Sequence, residues 1–133
     1  SARNCAGTDK QSWGCTVINV PTEDQEQEAL FQWAALVPEL KLLHAIPNGG
    51  YRHPATAARL ARTGVKAGVP DICLPVARGK YHALYIELKR RRKGAVSVTQ
   101  AEWHRALRAN GYAVHVCLGW EAAKEVIEGY LAL

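Results

Sequence analysis

Residues 69–89 read V-P-D-I-C-L-P-V-A-R-G-K-Y-H-A-L-Y-I-E-L-K, two apolar runs on either side of Arg78-Gly79-Lys80. Apolar segments flanking a short Gly-containing loop predict a β-hairpin. With Arg78-Gly79-Lys80 as a three-residue loop, Ala77 pairs with Tyr81, and counting outward from that pair sets Asp71 opposite Glu87. Directly opposed Cβ atoms lie roughly 4.5–5.5 Å apart, where two like charges are destabilising unless a cation sits between them. Along Tyr81–Arg90, Leu84, Ile86 and Leu88 share one face, and Tyr85, Glu87 and Lys89 share the other. Facing carboxylates with a lysine beside one of them suit divalent-metal phosphodiester chemistry: the carboxylates hold Mg²⁺, and the ammonium polarises water or steadies charge on phosphate. Glu-x-Lys alone is equally a surface ion pair on an exposed strand; the Pro-Asp in matching register favours the site.

Working outward, Pro75 places the first strand of the hairpin near an edge or a bulge. Upstream, Leu42–Ile46 reads as a short strand, followed by a turn over Pro47-Asn48-Gly49-Gly50. Ala55–Thr63 reads as a helix stopped by Gly64, with Arg59, Arg62 and Lys66 along one cationic face. The first helix opens on a capping box, Thr22 with Gln25, and ends before Pro38. Its apolar stripe is Leu30, Trp33, Ala34 and Val37. Projected backward, the stripe has Glu23 near its centre, Glu26 and Gln27 at its flanks, and Glu28 pointing away. A carboxylate there either favours the helix dipole at a frayed first turn or reaches toward Asp71 and Glu87, with Glu23 ahead of Glu26 for that role. Downstream, Ser97 and Gln100 form a second capping box opening a helix to about Asn110, and Gln100 shares the inward stripe of Trp103 and Leu107. Tyr112–Leu118 is an apolar strand and Trp120–Leu131 a closing helix. The predicted fold class is α/β, one mixed sheet flanked by helices. Residues 1–20 read as an irregular leader, with a short strand near Thr16–Val20, before a single domain over 21–133.

At 133 residues and 48% apolar, the chain can bury a core without staples. Nothing approaches a membrane span or a signal peptide, so a cytoplasmic protein with no membrane partner is expected. Cys5, Cys15, Cys73 and Cys117 make no C-x-x-C or other zinc spacing. Cys73 and Cys117 sit in apolar strands, where a reduced buried thiol is the ordinary outcome. Residues 52–93 hold eleven Lys and Arg against two acids, Asp71 and Glu87, a local charge of +9, while the rest of the chain carries −4 toward the total of +5. A basic segment whose only acids are the proposed metal pair suits a polyanion such as DNA. Its phosphate contacts are expected at Asn48, Arg52, His53, Arg59, Arg62, Lys66, Arg90, Arg91, Arg92 and Lys93. The run Lys89–Lys93 reads otherwise as a solvated basic loop.

Glu23 and Gln27 on the first helix, Gly68-Val69-Pro70-Asp71, Glu87-Leu88-Lys89, and Gln100 following Ser97 together resemble the virus-type replication-repair nuclease (VRR-NUC) domain of the PD-(D/E)XK nuclease superfamily. The resemblance spans about Thr22 to Leu131. It implies a restriction-endonuclease-like αβββαβ core, a Mg²⁺ or Mn²⁺ site, and hydrolysis of DNA phosphodiesters in DNA repair. It also implies a phage or bacterial protein that acts as a homodimer on branched DNA such as four-way (Holliday) junctions. By position, Asp71 and Glu87 are its metal ligands with the Leu88 carbonyl assisting, Lys89 its catalytic lysine, Glu23 the helix-one acid, and Gln100 a supporting residue of the site.

Other classes fit less well. A non-catalytic DNA-binding module would break the Asp/Glu/Lys set, and here it is intact. A small RNA-binding protein is disfavoured by the single Phe and the lack of an RRM-like aromatic strand. The five histidines, at 44, 53, 82, 104 and 115, are scattered without H-x-H or H-E-x-x-H spacing and read as ordinary surface or core residues.

Overall fold

The computed structural model describes residues 19–47, 53–92 and 94–133. Four α-helices and a four-stranded mixed sheet are present among them. In chain order they are α1 (Glu23–Ala34), β1 (His44–Ala45), α2 (Pro54–Arg62), β2 (Ile72–Leu74), β3 (Leu84–Lys89), α3 (Val98–Ala109), β4 (Ala113–Leu118) and α4 (Trp120–Leu131), with a 3-10 turn at Pro38–Leu40. The sheet order is β1-β2-β3-β4, antiparallel for the first two pairings and parallel for β3 with β4. This is the α/β, restriction-endonuclease-like arrangement expected. Cys5, Cys15, Asn48, Arg52, Lys93 and most of the leader lie outside the described residues, and 19–20 are not strand.

The hairpin arrives at the expected register by a different route. Ile72 pairs with Ile86 and Leu74 with Leu84, so the next step of the ladder sets Asp71 opposite Glu87. The turn itself holds two residues, not three: Arg78 and Tyr81 exchange both backbone hydrogen bonds, at 3.2 and 2.9 Å, around Gly79-Lys80. A tight turn at Pro75, where the Val76 N–H donates to the Leu74 carbonyl at 2.9 Å, takes up one extra residue on the first strand and restores the count. Proline has no N–H to give a ladder, so the bulge falls there.

Both expected capping boxes form, at Thr22 with Gln25 and at Ser97 with Gln100. Helices α1 and α4 cover one face of the sheet, where Leu30, Leu84, Ile86, Leu88 and Ile127 form the heart of the apolar core. Helix α3 covers the other face, over Tyr85, Glu87 and Lys89. Cys73 and Cys117 are free and buried.

Helix α2 begins one residue earlier than expected, on His53 as N-cap with Pro54 at the first position, and it ends at Arg62. Lys66 therefore lies beyond the helix rather than on its cationic face. None of the residues of α2 is buried.

Candidate nuclease active site

Glu87 is buried on the α3 face of β3, 1% exposed, and its carboxylate is boxed in by neighbours from two elements. Gln100 Nε2 donates to Oε2 at 3.1 Å, His104 Nε2 lies 3.2 Å from Oε1, and Lys89 Nζ is 3.8 Å from Oε2. Gln100 is fixed in turn by its capping box, since its Oε1 accepts from the Ser97 N–H at 2.9 Å and from Lys89 Nζ at 3.1 Å. Gln100, in the first turn of α3, thus orients both the carboxylate and the lysine.

Asp71 enters from the end of β2, and its Oδ2 accepts from the Leu88 N–H at 2.7 Å. Its side chain faces Glu87 across the β2–β3 pairing. A buried carboxyl facing a second acid ionises at a cost, and burial, then hydrogen bonding and charge from Asp71, push Glu87 up to about 8, with Lys89 opposing. The charge of Glu23 adds to the rise. Burial, together with the charges of Arg108 and Lys89, holds His104 below its ordinary value.

Pro70 continues the register opposite Leu88 and carries no N–H, so the ladder has no donor for the Leu88 carbonyl. The loop before it is held close to α3: Gly68 has φ +96°, and a Cβ there would meet Thr99 Cγ2 at 2.6 Å and Trp103 Cδ1 at 2.8 Å. Only glycine satisfies both the turn and the close approach.

Whether these residues fit a metal follows from their donors. Asp71, Glu87 and the Leu88 carbonyl offer oxygen atoms alone, and a divalent cation between the two carboxyls would offset the charge that raises Glu87. Among the described residues no group of three or more His, Cys, Asp and Glu stands ready as a ligand cluster, so carbonyl and water oxygens would complete the shell. Such a set suits Mg²⁺ or Mn²⁺ over zinc.

Helix one distributes its acids differently from the projection. The buried line of α1 is Glu26, Leu30 and Ala34, whereas Glu23 is exposed. The projected stripe gave too much weight to Trp33 and Val37, which are only partly buried; Trp33 lies under Lys124. Glu26, also 1% exposed, accepts from Arg91 Nε at 2.9 Å and from the Trp120 N–H at 3.0 Å. Burial alone would raise it, but Arg91 and the Trp120 N–H outweigh burial and leave it lowered. Glu26 is thus committed to the fold, and Glu23 is the helix-one acid whose charge reaches Glu87.

The basic residues divide as well. Arg91 is paired with Glu26 and with Glu121, at 2.7 Å for the latter, and Arg90 donates to the Val20 carbonyl at 3.3 Å. Both hold the loop after β3, Arg91 while still exposed, so neither is a free cation. Arg59, Arg62, Lys66 and Arg92 are exposed, and His53 accepts from the Ala55 N–H as a helix cap.

His104 was absent from the expected site. Its signal lay one helical turn after Gln100, on the same inward face, where a polar side chain needs a polar partner.

The profile of the VRR-NUC domain matches residues 20–121. A solved structure described as a VRR_NUC domain protein is similar, with a TM-score of 0.77 at 31% identity over 87% of this chain and 93% of that one. No curated protein matches. With the facing Asp71 and Glu87, the Lys89 beside them and the sheet that sets their register all in place, the chain belongs to the VRR-NUC domain family, a family of nucleases.

Proposed function

We propose that this chain is a divalent-metal-dependent endonuclease that hydrolyses DNA phosphodiesters, prefers branched duplex DNA such as a four-way (Holliday) junction, and acts as a homodimer. The observation that carries the reading is the opposed Asp71–Glu87 pair, with Lys89 on the same face of β3 as Glu87. Bound at Asp71, Glu87 and the Leu88 carbonyl, Mg²⁺ or Mn²⁺ would supply Lewis acidity to the phosphate and to water. The chain's own groups do the placing. Gln100 locks Glu87 and Lys89 in one geometry, and Lys89 Nζ holds the attacking water or the charge that grows on the phosphate oxygens. Water adds to phosphorus in line, one P–O ester bond breaks, and the departing oxygen takes a proton. Glu23 supports the same site from α1.

Exposed Arg59, Arg62, Lys66 and Arg92 supply sequence-independent phosphate contacts. Paired cuts on opposing strands call for two sites in matching orientation, which a two-fold dimer provides. The test compares cleavage of linear duplex, flap and four-way junction DNA with and without Mg²⁺. Junction cleavage that requires the metal is expected; equal rates on all three substrates would remove the preference for branches, and absence of any metal-dependent cleavage would remove the nuclease reading.

A further inference from the structure

At the far end of α3 from Gln100, a cleft of about 620 Å³ opens beside β4, the edge strand of the sheet among the described residues, lined by Lys80, Tyr81, Arg108, Tyr112 and His115 among others. A smaller hollow of about 330 Å³ shares Tyr81 and His115 and continues toward α4, where its walls are Val126, Gly129 and Leu133. The two meet at Tyr81, Ala113 and His115 along β4, the cationic cleft on the α3 side and the apolar hollow on the α4 side, and together they form a groove around the strand. Neither is lined by an Asp or Glu.

Gly129 gives the apolar end its room. It lies within α4, among glycines without positive φ, and a Cβ built on it meets nothing within 4 Å. Glycine weakens a helix relative to alanine, and neither turn geometry nor a close neighbour requires it here. What its missing side chain leaves is open space on the groove wall.

We propose that this groove is a second nucleic-acid subsite that takes an unpaired nucleotide: Lys80 and Arg108 contact phosphate, and the base lies along Tyr81 and the apolar wall at Gly129. Unpaired bases bind where aromatic surface and cationic side chains adjoin, and the volume suits a ligand of that size. A stacked base pair could not enter such a recess, so the groove distinguishes single strands from duplex. From Gln100 to Arg108 is eight residues of α3, about 12 Å at 1.5 Å each. A strand held at Asp71 and Glu87 could therefore place a base only a few nucleotides away in the groove. The proposal rests on the nuclease reading for its ligand class.

The test uses the full chain carrying Asp71→Ala, which cannot cut, and fluorescence anisotropy with labelled oligothymidine and with a blunt-ended hairpin duplex. The Cβ of Gly129→Leu meets no neighbour, and leucine favours a helix over glycine, so the variant should leave the melting temperature at or above the parent value. It should weaken oligothymidine binding about tenfold and leave the hairpin within twofold. Lys80→Ala should weaken oligothymidine binding by a lesser factor. Unchanged oligothymidine affinity in a folded Gly129→Leu protein would overturn the proposal. So would a shift in sedimentation from dimer to monomer with that variant, which would make the groove a self-association face. Failure of the nuclease reading is separable, because it appears as absence of metal-dependent cleavage by the wild-type chain while the binding contrast persists.

Discussion

Glu26 and Glu87 are equally buried, yet they stand on opposite sides of the sheet in opposite electrostatic states. On the α1–α4 side Glu26 has an arginine and a helix N-terminal N–H, and it is lowered. On the α3 side Glu87 faces another acid and is pushed up to about 8. Burial raises a carboxylate in either place; the partners decide the sign. A fold that satisfies one buried acid and leaves the other in conflict has stored its chemistry at the second.

The sharpest way to break this comparison is to remove the conflicted side. Asp71→Ala, Glu87→Ala or Lys89→Ala should lower DNA turnover by at least on the order of 10²-fold in a cleavage assay, while DNA binding persists. Ile86→Ala, one residue along the same strand but facing the core, should instead lose about 2–5 kcal/mol of stability in urea unfolding. Wild-type-like cutting by Glu87→Ala would end the site assignment. Within helix one, Glu23→Ala should impair turnover with little change in stability. Glu26→Ala should lose about 0.5–2 kcal/mol, as for a missing helix cap, and Glu28→Ala should do neither.

Acidity should separate the two glutamates by sign. Glu87 holds its proton in the native chain above the ordinary value of 4.5, so between about 4.5 and about 8 the folded state binds more protons than the unfolded one. Its contribution is full below 4.5 and is lost as pH rises through about 8, so the melting temperature of metal-free protein should fall over that window. Glu87→Gln should flatten the decline. Glu26 is lowered, so its contribution is present above 4.5 and is lost on acidification below that value. Glu26→Gln should remove that acid-side loss and leave the alkaline slope intact. The smallest expected effect lies outside both sides: replacing Arg59 and Arg62 together by alanine should weaken DNA binding across sequences and reduce the salt slope by up to about two.

Sequence patterning was most informative where a period fixes the answer. Alternation along β3 and the hairpin count placed Glu87 against Asp71, although the assumed turn was one residue too long and the bulge at Pro75 made up the difference. Turn length and bulges depend on local backbone energetics that apolar patterning does not encode, so the agreement there was a cancellation. Helix one was less tractable, because a stripe drawn through Trp33 assumes full burial, and a large ring under a lysine needs only partial cover. The partners of Arg91 could not be read at all: Glu26 lies 65 positions away and Glu121 lies 30 away. His104 follows Gln100 by one turn and shares its inward face, a helical signal that the spacing between histidines does not carry.

The contact between Glu26 and the Trp120 N–H spans 94 positions of sequence and sits where α4 would ordinarily be capped by its preceding residue, here Gly119, which has no side chain to offer. The last helix of the domain therefore borrows its start signal from the first. During synthesis α1 emerges long before the segment that it caps, and α4 gains its terminal partner only once the two ends of the domain have met. Such non-local closure slows folding and makes the ends cooperative. Amide exchange at the first turn of α4 is then tied to release of α1, so the two helices should open together as one unit.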